Sequence, residues 1–164
     1  MKKENDEYLC KVYPKMMVNR NKDMKETCMC WGFECGDGWF QILNQLMANI
    51  QHHIDWKERQ REVAIRFNSK AASGEMREVP EEVPQVILDQ VKEKFGTLRF
   101  YYSGGDDYIS GLVSMAESMS GITCETCGKP GTQTGGGWIK TACVEHGGED
   151  FDTPEDEYLA KETE

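Results

Sequence analysis

The chain has 164 residues, of which 38% are hydrophobic and 29% charged, and its formal net charge at pH 7 is −10. This length corresponds to about one domain with a modest core, and no stretch approaches the roughly 20 apolar residues of a membrane span. The acidic balance argues against general binding to DNA or RNA, because such binding draws most of its affinity from lysine and arginine.

The cysteine count and the first residues indicate the compartment. Seven cysteines, an odd number, fit a reducing environment better than a disulfide scaffold. Residues 1–8 are charged and lack the apolar run of a signal peptide. We therefore expect a cytoplasmic protein.

The N-terminal segment, residues 1–27, has no clear hydrophobic period, and we predict irregular structure or a short helix there. A body of residues 28–120 follows. Within it, apolar residues recur at three- and four-residue spacing from Gly38 to about Ile54, which predicts an amphipathic helix with Asp37 as its N-cap. The predicted apolar stripe consists of Trp39, Leu43, Leu46, Met47, Ile50 and Ile54.

Three strands are predicted after this helix. Residues 61–67 alternate in polarity, which is typical of a strand, and a polar loop then runs to about Pro84. The segments Val86 to Lys94 and Thr97 to Tyr102 also alternate, and a short turn separates them. This arrangement predicts a hairpin from Val86 to Tyr102.

A second helix is predicted after the hairpin, with Asp106 or Asp107 as its N-cap. Its apolar stripe consists of Tyr108, Ile109, Leu112, Val113, Ala116 and Met119. The predicted fold class is therefore α+β, in which two amphipathic helices cover a small antiparallel sheet formed by the hairpin.

Two ligand pairs with two-residue spacers lie in the segment 121–147. Cys124 and Cys127 form the first pair, Cys143 and His146 form the second, and fifteen residues between the pairs let the chain return to complete a tetrahedron. Three thiolates and one imidazole leave no open position, so we predict one structural Zn²⁺ in a zinc ribbon. The alternatives are buried thiols beside a surface histidine, and a disulfide between Cys124 and Cys127, although glycines and a proline follow that pair instead of a helix.

The C-terminal segment, residues 148–164, is strongly acidic. From residue 147 onward the chain carries eight acidic side chains and one lysine, which together account for −7 of the net charge of −10. We predict a disordered, solubilising tail, with mimicry of nucleic-acid charge as the alternative.

The remaining cysteines allow a second site, and the sequence leaves its nature open. The residues concerned are Cys10, Cys28, Cys30 and Cys35, together with His52 or His53. A second metal site is one interpretation, but a single residue between two cysteines does not form a knuckle turn. Buried or partly exposed thiols are the simpler interpretation, and a nucleophilic cysteine beside a histidine is the third.

Cations and aromatic residues alternate along the predicted hairpin. Lys94, Arg99 and Tyr101 form a candidate ligand-binding site, in which arginine would bind a phosphate and tyrosine would stack on a base. The alternative is a solvated sheet face on which Glu93 and cross-strand charges pair with these cations.

Three phrases of the sequence resemble a single family. In order, they are CMCWGFECGDGWF, VKEKFGTLRFYY and TCETCGKPG with GGWIKTACVEH. They are similar to small uncharacterised proteins of tailed bacteriophages, prophages and bacteria, and the likeness runs from about Cys10 to His146. The resemblance implies a phage-type accessory protein of the host cytoplasm with a C-terminal zinc ribbon, and it implies no activity.

Three functions are compatible with these features. The small size, closed zinc site and lack of a catalytic constellation favour a non-enzymatic, zinc-stabilised accessory protein that binds a host protein or sequesters a small nucleotide-type ligand, for example against host defence. The second is a nucleic-acid-associated zinc-ribbon protein. The third is a small enzyme that acts on nucleotides or uses a cysteine nucleophile.

Overall fold

A computed structural model describes residues 1–72 and 74–149, which form a mixed α+β fold. Most of the predicted acidic tail, residues 150–164, lies outside the described residues. The helices are α1 (Lys3–Val12), α2 (Phe40–Asn68) and α3 (Asp107–Ser120). The strands are β1 (Phe33–Glu34), β2 (Ile87–Lys94), β3 (Thr97–Ser103), β4 (Thr132–Gln133) and β5 (Thr141–Ala142). The predicted α+β class is confirmed.

The N-terminal segment contains the short helix, α1, that the sequence allows there. The Leu9 side chain is fully buried and packs this helix against the core. The carboxylate of Asp37 holds its first turn, because Oδ1 accepts hydrogen bonds from the Lys2 N–H at 2.7 Å and from Asn5 Nδ2 at 3.0 Å. Asp37 itself lies in a 3₁₀ turn, Asp37–Trp39, that precedes α2. The prediction that Asp37 caps the helix from Gly38 to about Ile54 is therefore wrong, since its side chain binds the start of α1 instead.

Helix α2 begins at Phe40 and buries the predicted stripe against the core. The buried positions that bear out the prediction are Leu43, Leu46, Met47, Ile50 and Ile54, with Trp39 fully buried just before the helix. No helix in the described ranges combines the length and the apolar character needed to cross a lipid bilayer.

The predicted strand at residues 61–67 is wrong, because α2 continues without a break to Asn68. Neither glycine nor proline interrupts residues 40–68, and the run from Lys57 to Glu62 consists of good helix formers. The alternating residues do not line a buried face. Val63 and Ile65 are about half exposed, and the Arg77 guanidinium lies 4.0 Å from the centre of the Phe67 ring.

The sheet is built on the predicted hairpin, whose two strands are confirmed to within one residue at the outer ends. Strands β2 and β3 pair antiparallel, with Lys92 opposite Arg99. The sheet is not purely antiparallel as predicted, because β1 adds to β2 in parallel, with Phe33 beside Val91. This pairing joins segments almost 60 residues apart, and two residues are too few to show a strand period in the sequence.

Helix α3 begins at its predicted cap. Asp106 Oδ1 accepts a hydrogen bond from the Ile109 N–H at 3.0 Å, and Asp106 Oδ2 lies 2.8 Å from His53 Nε2 on α2. The His53 ring stacks on Tyr108 with the ring centres 4.4 Å apart. One carboxylate thus caps α3 and joins it to α2. A single hydrophobic core contains residues of both helices and of the inner sheet face: Leu88, Val91, Leu98 and Phe100.

Replacing Asp106 with alanine is expected to lower the free energy of unfolding by about 0.5–2 kcal/mol at pH 7, the range for a lost N-cap. The variant also loses the hydrogen bond to His53. Urea unfolding measures the change. Asp107→Ala is the control, because Asp107 is exposed in the same turn and should contribute only about 0.3–1 kcal/mol through the helix dipole.

The Asp106 effect should also depend on pH. Burial disfavours the charged form, but hydrogen bonds from His53 and from the Ile109 N–H outweigh burial and lower the pKa of Asp106 below its ordinary value of 3.8. A carboxyl with a lowered folded pKa stabilises the fold above its unfolded pKa, and that contribution is lost as pH falls through the folded pKa. The stability difference between wild type and Asp106→Ala should therefore shrink below pH 3.8. A difference that stays constant down to pH 2 would contradict this assignment.

Candidate metal centre

The four predicted ligands come together in space. Cys124 and Cys127 lie in the turn after α3, Cys143 follows β5, and His146 lies in a 3₁₀ turn, Val144–His146. Their ligand atoms all lie within 4.8 Å of one another, close enough to hold one metal ion. The prediction of a four-ligand site is confirmed at this level.

Three pairs of ligand atoms within the site lie less than 4 Å apart. His146 Nδ1 lies 3.5 Å from Cys124 Sγ and 3.2 Å from Cys143 Sγ, and Cys127 Sγ lies 3.6 Å from Cys143 Sγ. The strands β4 and β5 pair between the two ligand turns and return the chain to the first pair. Four donors converge on one point from two separate turns.

Backbone N–H groups aimed at the sulfur atoms favour thiolates here. Burial opposes ionisation of Cys124, but the N–H groups of Cys143, Cys127 and Thr126 outweigh burial and lower the pKa of Cys124 to about 6. The Lys129 N–H favours the Cys127 thiolate, yet desolvation and the neighbouring sulfurs prevail and raise the pKa of Cys127. A bound cation would remove this mutual repulsion, because metal ligation requires all three thiols to be deprotonated.

The first ligand turn is braced against the turn before α2. Glu125 accepts two hydrogen bonds from it: Gly38 N–H donates to the Glu125 carbonyl at 2.7 Å, and Gly36 N–H donates to Glu125 Oε1 at 2.8 Å. Trp39 Nε1 donates to the Thr123 carbonyl at 2.8 Å. The buried indole therefore fixes the segment between α3 and the first ligand, Cys124.

Glycine is required for this contact. A Cβ on Gly38 would lie 2.1 Å from the carbonyl oxygen of Cys124, and a Cβ on Gly36 would lie 2.2 Å from that of Glu125. No side chain fits between the two backbones. Glycines and aromatic residues stand out at positions 36–39 of the sequence, but their contact with the metal centre was not predicted. Nothing local in the sequence indicates that the two turns meet.

The second ligand turn is joined to the tip of the hairpin. Thr141 Oγ1 donates to the Gly96 carbonyl at 2.5 Å, and both groups are buried. A Cβ on Gly96 would lie 3.1 Å from the Cγ2 atom of Ile139. The segment that carries the ligands thus contacts both the turn before α2 and the β2–β3 turn.

The other cysteines do not assemble with histidine. Within residues 1–72 and 74–149, the four-ligand cluster is the one group of at least three histidine, cysteine or acidic ligands placed to share an ion. Cys10 Sγ donates to Asp6 Oδ1 at 3.6 Å, and Cys30 Sγ donates to the Thr27 carbonyl at 3.2 Å. Burial raises the pKa of Cys35 to about 12, which leaves it an unreactive thiol at neutral pH. His53 binds Asp106, as described above.

The predicted hairpin residues lie on the outer sheet face, opposite the buried Leu98 and Phe100. Lys94 lies near the turn and is exposed, and Tyr101 is 43% exposed. Arg99 Nη1 donates to Thr97 Oγ1 at 2.6 Å and to the Leu98 carbonyl at 2.8 Å. The three residues share a face but are spread along it.

Lys92, which was not among the predicted residues of this site, lies between them. Lys92 pairs with Arg99 across the strands, and its Nζ lies 5.7 Å from the centre of the Tyr101 ring. In the part of the chain that the structure describes, Lys92, Lys94 and Arg99 form no salt bridge. Glu93 Oε1 instead accepts the Gly96 N–H at 2.7 Å. The sequence also allowed these cations to pair with Glu93, but no such pair occurs among the described residues.

Comparison with models of protein families, with curated proteins and with solved structures finds no match to this chain.

Proposed function

We propose that this chain is a zinc-stabilised binding protein without catalytic activity, an accessory protein of the phage type that sequesters a small nucleotide-type ligand in the host cytoplasm. The observation that carries the proposal is the outer sheet face, on which Lys92, Lys94 and Arg99 form no salt bridge with described residues and lie beside an exposed Tyr101. The metal centre supports the adjoining turn.

Zinc is the metal that best suits the four donors. A tetrahedral zinc ion with Zn–S bonds of about 2.3 Å and Zn–N bonds of about 2.0 Å would hold sulfur atoms about 3.8 Å apart, and sulfur and nitrogen about 3.5 Å apart. The closest separations here are 3.6 Å between sulfurs, and 3.2 and 3.5 Å between sulfur and nitrogen. Because four protein donors leave no position for substrate or water, the ion would be structural.

The outer face offers the two interactions that a nucleotide needs. Arg99 presents a planar guanidinium suited to phosphate oxygens, and Lys92 adds a second charge directly across the strands. The exposed ring of Tyr101 can stack on a base. Glu34 lies beside Lys92 on the neighbouring strand but forms no salt bridge with it among the described residues, so binding of a phosphate would break no ion pair.

Arg99→Ala tests this proposal by thermal shift with a panel of nucleotides. A nucleotide present at 100 times its Kd should stabilise the wild type by about 2.7 kcal/mol, or roughly 5–10 °C in Tm. Arg99→Ala should keep its fold and lose most of this shift, because a hydrogen bond to a charged group is worth about 1.5–3 kcal/mol.

The matched control is Arg66→Ala, which removes an exposed arginine from the last turn of α2, away from the sheet. It should respond to nucleotides as the wild type does. The proposal fails if no nucleotide shifts the wild type, or if Arg99→Ala responds fully. In the first case a host protein becomes the preferred ligand.

A further inference from the structure

The hairpin turn and the loop before β5 together form an aromatic cleft. Phe95 in the turn is 65% exposed, and Trp138 in the loop is 79% exposed. The cleft has a volume of about 410 Å³ and is lined by Glu93, Lys94, Phe95, Gly137, Trp138 and Ile139. Both large rings are exposed to water at one cleft, and packing within the described residues does not explain why.

Phe95 also adopts a backbone conformation that disfavours its side chain. Its φ is 53°, and that of Gly96 is 77°, so both turn residues have positive φ. Two-residue hairpin turns of this kind prefer asparagine, aspartate or glycine at the first position. Among the described residues Phe95 is the one non-glycine residue with positive φ. Because its exposed ring gains little from packing, the strain indicates a contact with something outside the chain.

The cleft adjoins the proposed nucleotide site at Lys94, which lines the cleft and belongs to that site. Lys94 Nζ lies 5.4 Å from the centre of the Phe95 ring, and the pair Lys92 and Arg99 follows along the same hairpin, with Tyr101 beyond. From Thr97 to Tyr101 the strand extends about 14 Å at about 3.4 Å per residue. The face is therefore an elongated row with aromatic rings at each end and cations between them. One nucleotide cannot occupy both ends.

We propose that this face binds a short single-stranded oligonucleotide, with one base stacked in the Phe95–Trp138 cleft, another on Tyr101, and the intervening phosphates on Lys92, Lys94 and Arg99. The inference rests on the proposed function and names its ligand class. The bases must be unpaired, because stacking on side chains uses their open faces. Three cations in a chain of net charge −10 restrict the ligand to a few phosphates.

The arrangement favours an oligonucleotide over a membrane surface. Exposed tryptophan beside lysine also occurs at membrane interfaces. There, however, the cations would surround the aromatic tip, whereas here Lys92, Arg99 and Tyr101 extend away from it along the strands. An elongated, flexible polyanion with π faces matches that row.

Fluorescence anisotropy with labelled oligo-dT of one to six nucleotides tests the inference on the full chain. Affinity should rise at least about fivefold from one nucleotide to three, since a second stacked base adds about 1–3 kcal/mol. The plot of log K against log salt should have a slope of about −2, as expected for three neutralised phosphates on a single strand, and Lys92→Ala should reduce the slope by about 0.7.

Two substitutions probe the cleft itself. Trp138→Ala should weaken trinucleotide binding by about 5- to 150-fold and leave mononucleotide binding unchanged. Phe95→Asn should weaken it similarly while raising Tm, because asparagine suits the turn better than phenylalanine. A purely structural role of Phe95 would not give this combination. Trp56→Ala, which removes a 45% exposed tryptophan on α2, is the control and should bind as the wild type.

The outcomes separate this inference from the proposed function. The oligonucleotide proposal is overturned if binding depends on Arg99 but does not strengthen with oligonucleotide length, or if Trp138→Ala binds the trinucleotide with full affinity. Either result leaves the mononucleotide proposal standing. No binding at any length overturns both. If the wild type binds vesicles of anionic lipid but no oligonucleotide, and Trp138→Ala does not bind the vesicles, both proposals fail and the ligand is a membrane surface.

Discussion

Replacing Cys127 with serine is expected to abolish binding of the metal ion and to lower Tm by at least about 8 °C, because loss of a structural metal is among the largest effects of single substitutions. The Cys127 side chain is exposed and fills no part of the core. Its substitution therefore removes a ligand with little loss of packing. The turns that the metal centre braces, before α2 and at the hairpin tip, would lose their support.

The measurement combines elemental analysis with thermal unfolding monitored by circular dichroism. Wild type should contain about one zinc ion per chain, and Cys127→Ser should contain little. Cys28→Ser is the matched control, since Cys28 is also an exposed cysteine but lies outside the four-ligand cluster, and it should retain both metal content and Tm. An unchanged melting curve with full metal content in Cys127→Ser would refute the assignment of the ligands.

The features that the sequence predicted correctly are those encoded by neighbouring residues. The ligand pairs follow from two-residue spacers, and Asp106 is recognisable as a cap because the apolar period of α3 starts next to it. The hairpin is recognisable because alternation changes phase across Phe95 and Gly96. Each of these signals lies within a few residues of what it determines.

The features that the sequence did not predict depend on distant contacts. Residues 61–67 alternate in polarity, but the helix formers upstream extend α2 through them. Asp37 is placed in the sequence as a cap of α2, yet its carboxylate binds the Lys2 N–H at the start of α1, 35 residues away. The contact of Gly38 with the metal-ligand turn joins positions more than 80 residues apart. Such contacts become visible only when the chain is folded.

Gly38→Ala tests whether this long-range contact supports the metal centre. The added Cβ would lie 2.1 Å from the Cys124 carbonyl and 2.5 Å from the Gly128 nitrogen, so backbone atoms on one side must move. We expect a loss of about 3 kcal/mol or more in the free energy of unfolding, at the upper end of the range for overpacking, because backbone cannot yield as a side chain can. The hydrogen bond from Gly38 N–H to the Glu125 carbonyl would also be displaced.

Gly111→Ala is the matched control and should have the opposite sign. Gly111 lies inside α3, and a Cβ there would meet no atom within 4 Å. Alanine should therefore stabilise the chain by about 0.5–1 kcal/mol through lower backbone entropy of the unfolded state.

Urea unfolding of both variants, with cobalt substitution to report ligand geometry by its absorption bands, distinguishes a local clash from general loss of stability. If Gly38→Ala is as stable as the wild type with an unchanged cobalt spectrum, the turn before α2 does not brace the metal centre. Altered cobalt bands in Gly38→Ala, with normal bands in Gly111→Ala, would mean that a residue making no bond to the ion controls its geometry through the backbone of Cys124.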